Sequence, residues 1–169
     1  AYVSHIESFE NAPEGKVEHL DNYDINSFTP DDAILCRNNA PLVEMAYAFI
    51  SRSRGVNFLG RDIGGGLKSL IRNMEAKSLT ELSTKLQKWL DRESAKLVAK
   101  RQEEKIELLQ DRVNCIDIFI EHLPESRQTV ADLLNAIDNL FESKGSGITL
   151  SSVHKSKGKE WSRVFIIDF

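Results

Sequence analysis

Residues 148–167 constrain this chain more than any other stretch. Ile148-Thr-Leu-Ser-Ser152 reads as a short strand, and Val153 to Ser162 follows as a polar loop holding His154, Lys155, Lys157, Gly158, Lys159 and Glu160. Val164-Phe-Ile-Ile167 is then apolar throughout. A short apolar run bounded by loop residues fits a strand of a buried parallel sheet. The polar loop between two such strands puts cationic and hydrogen-bonding groups at the sheet's mouth, where α/β proteins hold phosphates and nucleotides.

A second segment has the same grammar. Ala33-Ile-Leu-Cys36 is a buried-type strand, and it runs into Arg37-Asn38-Asn39. Asn38 or Asn39 can cap the next helix, whose first turn tolerates Pro41. That helix aligns Leu42, Met45, Ala46, Phe49 and Ile50, Gly55 ends it, and Val56–Leu59 forms the next strand. Strand, helix, strand in so few residues is a βαβ unit, which predicts parallel strands and a right-handed crossover. Gly60 to Gly66 reads as a loop. Its three consecutive glycines lack the Lys-Ser/Thr of a phosphate loop, so a flexible link into the next helix is expected.

Residues 67–143 are helical in pattern. Ser78 with Glu81 makes a capping box ahead of an apolar stripe of Leu79, Leu82, Leu86, Trp89 and Leu90. After a mixed-charge break at 99–105, Ile106, Leu109, Val113, Ile116, Ile120 and Leu123 recur at helical spacing until Pro124 stops them. Thr129 with Asp132 opens a last helix, which turns Val130, Leu133, Leu134, Ile137, Leu140 and Phe141 inward before Gly145 and Gly147. Residues 1–30 are a polar, acidic lead-in with one expected strand at Lys16–Leu20, closed by a turn at Thr29-Pro30-Asp31-Asp32.

A chain of 169 residues fits one core with a small insertion. Its net charge of −4 is unevenly spread. Residues 1–32 carry eight acids against one lysine, and 77–143 carry thirteen acids against ten bases. By contrast, 33–76 hold six bases against three acids, and 144–169 five against two. The two positive blocks are those carrying the strand–loop segments, and the local field matters more than the total for a polyanionic partner. No apolar run approaches the ~20 residues of a bilayer span, and no signal peptide is visible. The widely separated Cys36 and Cys115 show no metal-type spacing, which suits a reduced, cytoplasmic protein.

The pattern Ser152-x-His154-x-x-Lys157-Gly158-x-Glu160-Trp161, followed by an apolar strand, resembles a motif in the second motor domain of the UvrD/Rep-like superfamily 1 DNA helicases. Ala33-Ile-Leu-Cys-Arg37-Asn-Asn39-Ala40 is similar to that family's strand, Arg, x, Asn, Ala segment. The resemblance implies an α/β fold with an incomplete RecA-like parallel sheet and an inserted all-α subdomain. Residues 1–66 and 144–169 would be the two parts of the motor domain, and 67–143 a short counterpart of the family's helical insertion. It implies DNA contacts from Arg37, Asn39, Ser152 and His154, and nucleotide contacts from Lys157, Gly158 and Glu160. It also implies an ATP- and Mg²⁺-dependent motor of 3′-to-5′ polarity, working with an N-terminal RecA-like domain of the same polypeptide on single-stranded DNA and single/double-strand junctions.

The residue chemistry suits those roles. Ser and His hydrogen-bond phosphate oxygens without reading sequence, Arg binds them bidentately, and Lys is a compact point charge. Glu160 is anionic and suits ribose hydroxyls rather than phosphate. Plainer roles compete: Asn39 as a helix cap, Trp161 as a packing residue, and Lys155 and Lys159 as solvated cations. These residues include no phosphate loop, no Mg²⁺-binding acidic pair and no arginine finger, so no catalytic or metal-binding residue is assigned here and the piece alone is expected to be inactive. The rival readings are a non-catalytic module that docks a partner through the helical segment, and the motor part of a helicase–nuclease.

Overall fold

In the computed structural model, residues 14–142 and 147–167 are described. The strands are β1 (Asp32–Cys36), β2 (Val56–Leu59), β3 (Ile148–Ser152) and β4 (Arg163–Ile167). They form one parallel sheet in the order β2-β3-β1-β4. The helices are α1 (Ala40–Ile50), α2 (Arg61–Asn73), α3 (Leu79–Ala99), α4 (Ile106–Glu121) and α5 (Val130–Glu142). This is the expected mixed α/β architecture of the incomplete RecA-like kind. β1, α1 and β2 form the expected parallel unit, with β3 inserted between its strands.

Register explains the layering. Ile34 lies level with Leu150 and Phe165, and Leu150 with Phe58, so these side chains share one face. Every strand residue of the hydrophobic core belongs to that face: Ile34, Cys36, Val56, Phe58, Ile148 and Leu150, with Phe165 and Ile167 at the margin. Leu42, Val43, Met45, Ala46 and Phe49 of α1 are buried in the same core, while Ile50, expected inside, is 46% exposed. The opposite face carries Ala33, Leu35, Thr149 and Ser151, which are buried, and the exposed Val164 and Ile166 of the edge strand β4. The last strand was expected to be buried, but its edge position leaves Ile166 74% exposed.

Both expected helix starts are capped by side chains. Ser78 accepts from the Glu81 amide, and the Thr129 hydroxyl accepts from the Asp132 amide while donating to its carboxylate. Leu79, Leu82, Leu86 and Leu90 of α3 are buried, as are Val113 and Ile116 of α4 and Leu133, Ile137, Leu140 and Phe141 of α5. These helices join the sheet in a single core, with the Phe58 and Phe141 rings 4.7 Å apart.

Two expectations are corrected. Lys16–Leu20 forms no strand, and Val17 and Leu20 are exposed, because this polar stretch has no apolar face to bury. Gly60–Gly66 is not a loop: α2 starts at Arg61 and runs through all three glycines. Each glycine costs about 1 kcal/mol of helix propensity, which burial of Leu67, Leu70 and Ile71 offsets. Gly64 also admits the Phe141 ring, whose atoms lie 3.0 Å from where a Cβ would stand. The helix therefore straddles the expected 66/67 domain boundary. The first thirteen residues and Gly145 lie outside the described residues, as does the start of the expected 144–169 segment.

At the amino-terminal end of the sheet, Arg163 of β4 donates from Nε and Nη2 to the two carboxylate oxygens of the buried Asp32 on β1. The Arg163 guanidinium holds that carboxyl below the usual carboxylate range, against an opposing desolvation penalty. Thr29, which closes the preceding turn, also donates its amide to Asp32.

Candidate nucleic-acid and nucleotide interface

In a parallel sheet all strand carboxyl ends lie along one edge, and ligands bind in the crevice beyond it. Here β1 ends into Arg37–Asn39, β2 into Gly60–Asp62 and β3 into Val153–Glu160. Cys36 is level with Ser152, and the Val153 amide donates to the Cys36 carbonyl at 3.1 Å. The two motif loops therefore leave neighbouring strands side by side, roughly 5 Å apart.

The loop after β3 is a compact turn. The Ser152 carbonyl accepts from the amides of Lys155 (2.9 Å) and Ser156 (3.1 Å), the Ser156 hydroxyl donates to the Val153 carbonyl, and the Lys159 amide to the Ser156 carbonyl. Ser152 itself is buried, so its backbone shapes the turn. His154, Lys157, Gly158 and Glu160 are exposed. Gly158 has φ +73°, a left-handed conformation that L side chains rarely adopt, and no atom crowds its missing Cβ. The loop thus offers two lysines and a histidine to solvent around an open backbone, a donor set suited to phosphate oxygens. Trp161 is half-buried.

Lys155, assigned only a solvated role from sequence, bridges two loops. Its Nζ lies 2.7 Å from Asp62 in the first turn of α2. The Lys155 ammonium, through this hydrogen bond, holds the Asp62 carboxyl below its ordinary range despite some desolvation.

The loop after β1 is held by α4. Asn39 is the N-cap position of α1, but its side chain makes no capping bond. Asp111 supplies the cap from 72 residues away. Its Oδ1 accepts from the Asn39 amide (2.9 Å) and the Ala40 amide (2.8 Å), and its Oδ2 from Asn39 Nδ2 (2.8 Å). One turn earlier on α4, Glu107 takes Arg37 Nη2 at 2.9 Å and Asn38 Nδ2 at 3.0 Å. Neither acid is recognisable from sequence, since the contacts join segments about 70 residues apart.

A cavity of about 700 Å³ lies behind this loop between α1 and α4. Glu44, Glu107, Asp111, Asp117 and Glu121 line it, and burial raises the Asp117 carboxyl above its usual range. Such an acidic cleft repels phosphate, so the basic loop after β3, not the cavity, is the side suited to a polyanion. Among the described residues no group of His, Cys, Asp and Glu could hold a metal ion, and no helix is long and apolar enough to cross a membrane.

A four-stranded parallel sheet flanked by helices, with a lysine-rich turn at its carboxyl edge, is an α/β fold of the incomplete RecA-like class. A family model described as the UvrD-like helicase C-terminal domain matches residues 68–169. The chain belongs to that family. The match takes in Ser152–Trp161 and the helices α3 to α5, while Arg37 and Asn39 lie before it. Comparisons with curated proteins and with solved structures gave no match.

Proposed function

We propose that this chain is part of the second motor domain of an ATP-dependent DNA translocase or helicase, with 3′-to-5′ polarity taken from the family resemblance. The single observation that carries the reading is the side-by-side exit of the Arg37 and His154 loops from β1 and β3, within a chain of the UvrD-like family. Arg37 on one loop and His154 on the other hold the sugar–phosphate backbone of single-stranded DNA and leave the bases unread, while the buried Ser152 and the Asp111-bound Asn39 shape the loops that present them. Lys157 and Glu160, on either side of the open Gly158 turn, face the nucleotide. The lysine supplies charge toward phosphate, and the carboxylate accepts from ribose hydroxyls.

ATP, when bound, supplies a phosphoanhydride whose cleavage releases the free energy for movement. The residues present fit its outer groups only. Mg²⁺ ligands and the groups that polarise the γ-phosphate are assigned to an N-terminal RecA-like domain and to a final motif, and the piece alone is inactive. Because one ten-residue turn bears both sets of contacts, a shift at Lys157–Glu160 moves His154. The proposed division is a motor part at 1–66 and 144–169 with a short helical insertion at 67–143, in a cytoplasmic protein of DNA repair or replication.

The experiment is a titration of the full-length protein with fluorescent oligothymidylate over a range of salt. Binding is expected to weaken linearly with log salt at about −0.7 per phosphate contacted. Affinity for a partner protein that is insensitive to salt, with no DNA binding, returns the interaction-module reading.

A further inference from the structure

Glu107 is the residue that the proposed reading leaves unexplained. It stands in the first turn of α4 and divides its two carboxylate oxygens between Arg37 Nη2 and Asn38 Nδ2. Both partners precede Asn39 on the loop assigned to the DNA backbone. A carboxylate making parallel contacts to a guanidinium and an amide occupies the positions that two phosphate oxygens would take. The pair is open to solvent: the Arg37 side chain is 73% exposed and that of Glu107 45%. An exposed pair contributes little to stability, so Glu107 is not needed to hold the fold.

Asp111 strengthens the contrast. It lies on the same face of α4 but is buried, and it satisfies the backbone amides of Asn39 and Ala40. The two acids divide the work, one building the loop and the other covering its cation. The loop after β3 repeats the arrangement, with Lys155 covered by Asp62.

We propose that Glu107 is a built-in competitor for DNA phosphate, a carboxylate on the helical segment that must yield Arg37 before the strand can be gripped. The inference rests on the proposed DNA-binding role of Arg37. Rotation of the exposed Glu107 side chain away from Arg37 then raises grip on the strand, and its return lowers grip, while the buried Asp111 keeps α4 against the loop.

The test compares wild type, E107Q, R37A and the R37A/E107Q double variant in the full-length protein, by anisotropy of fluorescent oligothymidylate at low salt. E107Q keeps the shape and removes the charge, and its unfolding midpoint should match wild type. It is expected to bind about three- to tenfold more tightly, R37A about tenfold more weakly, and the double variant no more tightly than R37A alone. Unchanged or weaker binding by E107Q, with R37A still impaired, overturns the competitor role and leaves the DNA contact standing. Equal tightening by E107Q in both backgrounds also overturns it, since the effect would then be a general field. R37A binding as wild type would instead sink the DNA role of Arg37 itself.

Discussion

Substituting alanine for Gly147 should cost at least about 3 kcal/mol and is expected to prevent the sheet from forming at 37 °C. Gly147 immediately precedes β3, and its missing Cβ would fall on the carbonyl of Gly55, where β2 begins. The Ile148 amide donates to that same carbonyl at 3.1 Å, so the chains cannot separate without losing the first rung between β2 and β3. The obstacle is backbone, which has no rotamer to escape into. Gly65→Ala is the control, because that glycine is inside α2 with nothing near its Cβ position. Its helix propensity should improve, with a gain of about 0.5–1 kcal/mol. Urea unfolding of the two variants beside wild type checks both signs, and a Gly147→Ala midpoint equal to wild type would refute the close approach.

Asp111→Ala is expected to cost about 2–4 kcal/mol, measured the same way. The side chain is 6% exposed and accepts from the amides of Asn39 and Ala40 and from the Asn39 side chain. It also places a negative charge at the amino terminus of α1, where the helix dipole favours one. Truncation strands those donors in a site that is partly closed to water. The Asp111→Asn variant keeps one acceptor oxygen and should lose roughly half as much. The loss should fall on the Arg37–Asn39 loop first, so amide exchange at residues 37–40 should quicken in Asp111→Asn before the global midpoint moves. A loss under about 0.5 kcal/mol in Asp111→Ala would mean that α1 is capped by something else.

These two residues also mark where local sequence stops being readable. The helices α3, α4 and α5 were legible because their buried side chains recur at three and four residues, and because Ser78–Glu81 and Thr129–Asp132 are local signals. The strands β1, β2 and β3 were legible as short apolar runs between loop residues. Helix α2 was not, because three glycines oppose a helix locally, and only Phe141, 77 residues away from Gly64, explains why one is needed. The exposure of Ile166 was hidden because an apolar run does not reveal whether its strand is central or at an edge.

The candidate site divides along the same line. Residue types and spacing marked out the Ser152–Glu160 turn, and the structure exposes His154, Lys157 and Glu160 together with the positive φ of Gly158. The competing capping role of Asn39 is answered by another residue: Asp111 caps the helix and binds the Asn39 side chain as well. The pairings of Arg37 with Glu107 and of Lys155 with Asp62 depend on folding and leave no trace in spacing.

DNA-stimulated ATP hydrolysis, measured in the full-length protein and in its Arg37→Ala and His154→Ala variants, tests the proposed DNA grip most directly. Both side chains are exposed, so both variants should fold with wild-type unfolding midpoints. If these loops grip the strand, the DNA-stimulated rate should fall by about 10- to 100-fold in each. Wild-type DNA-stimulated turnover in both variants would contradict it, leaving the carboxyl-edge loops without the DNA-gripping role assigned to them.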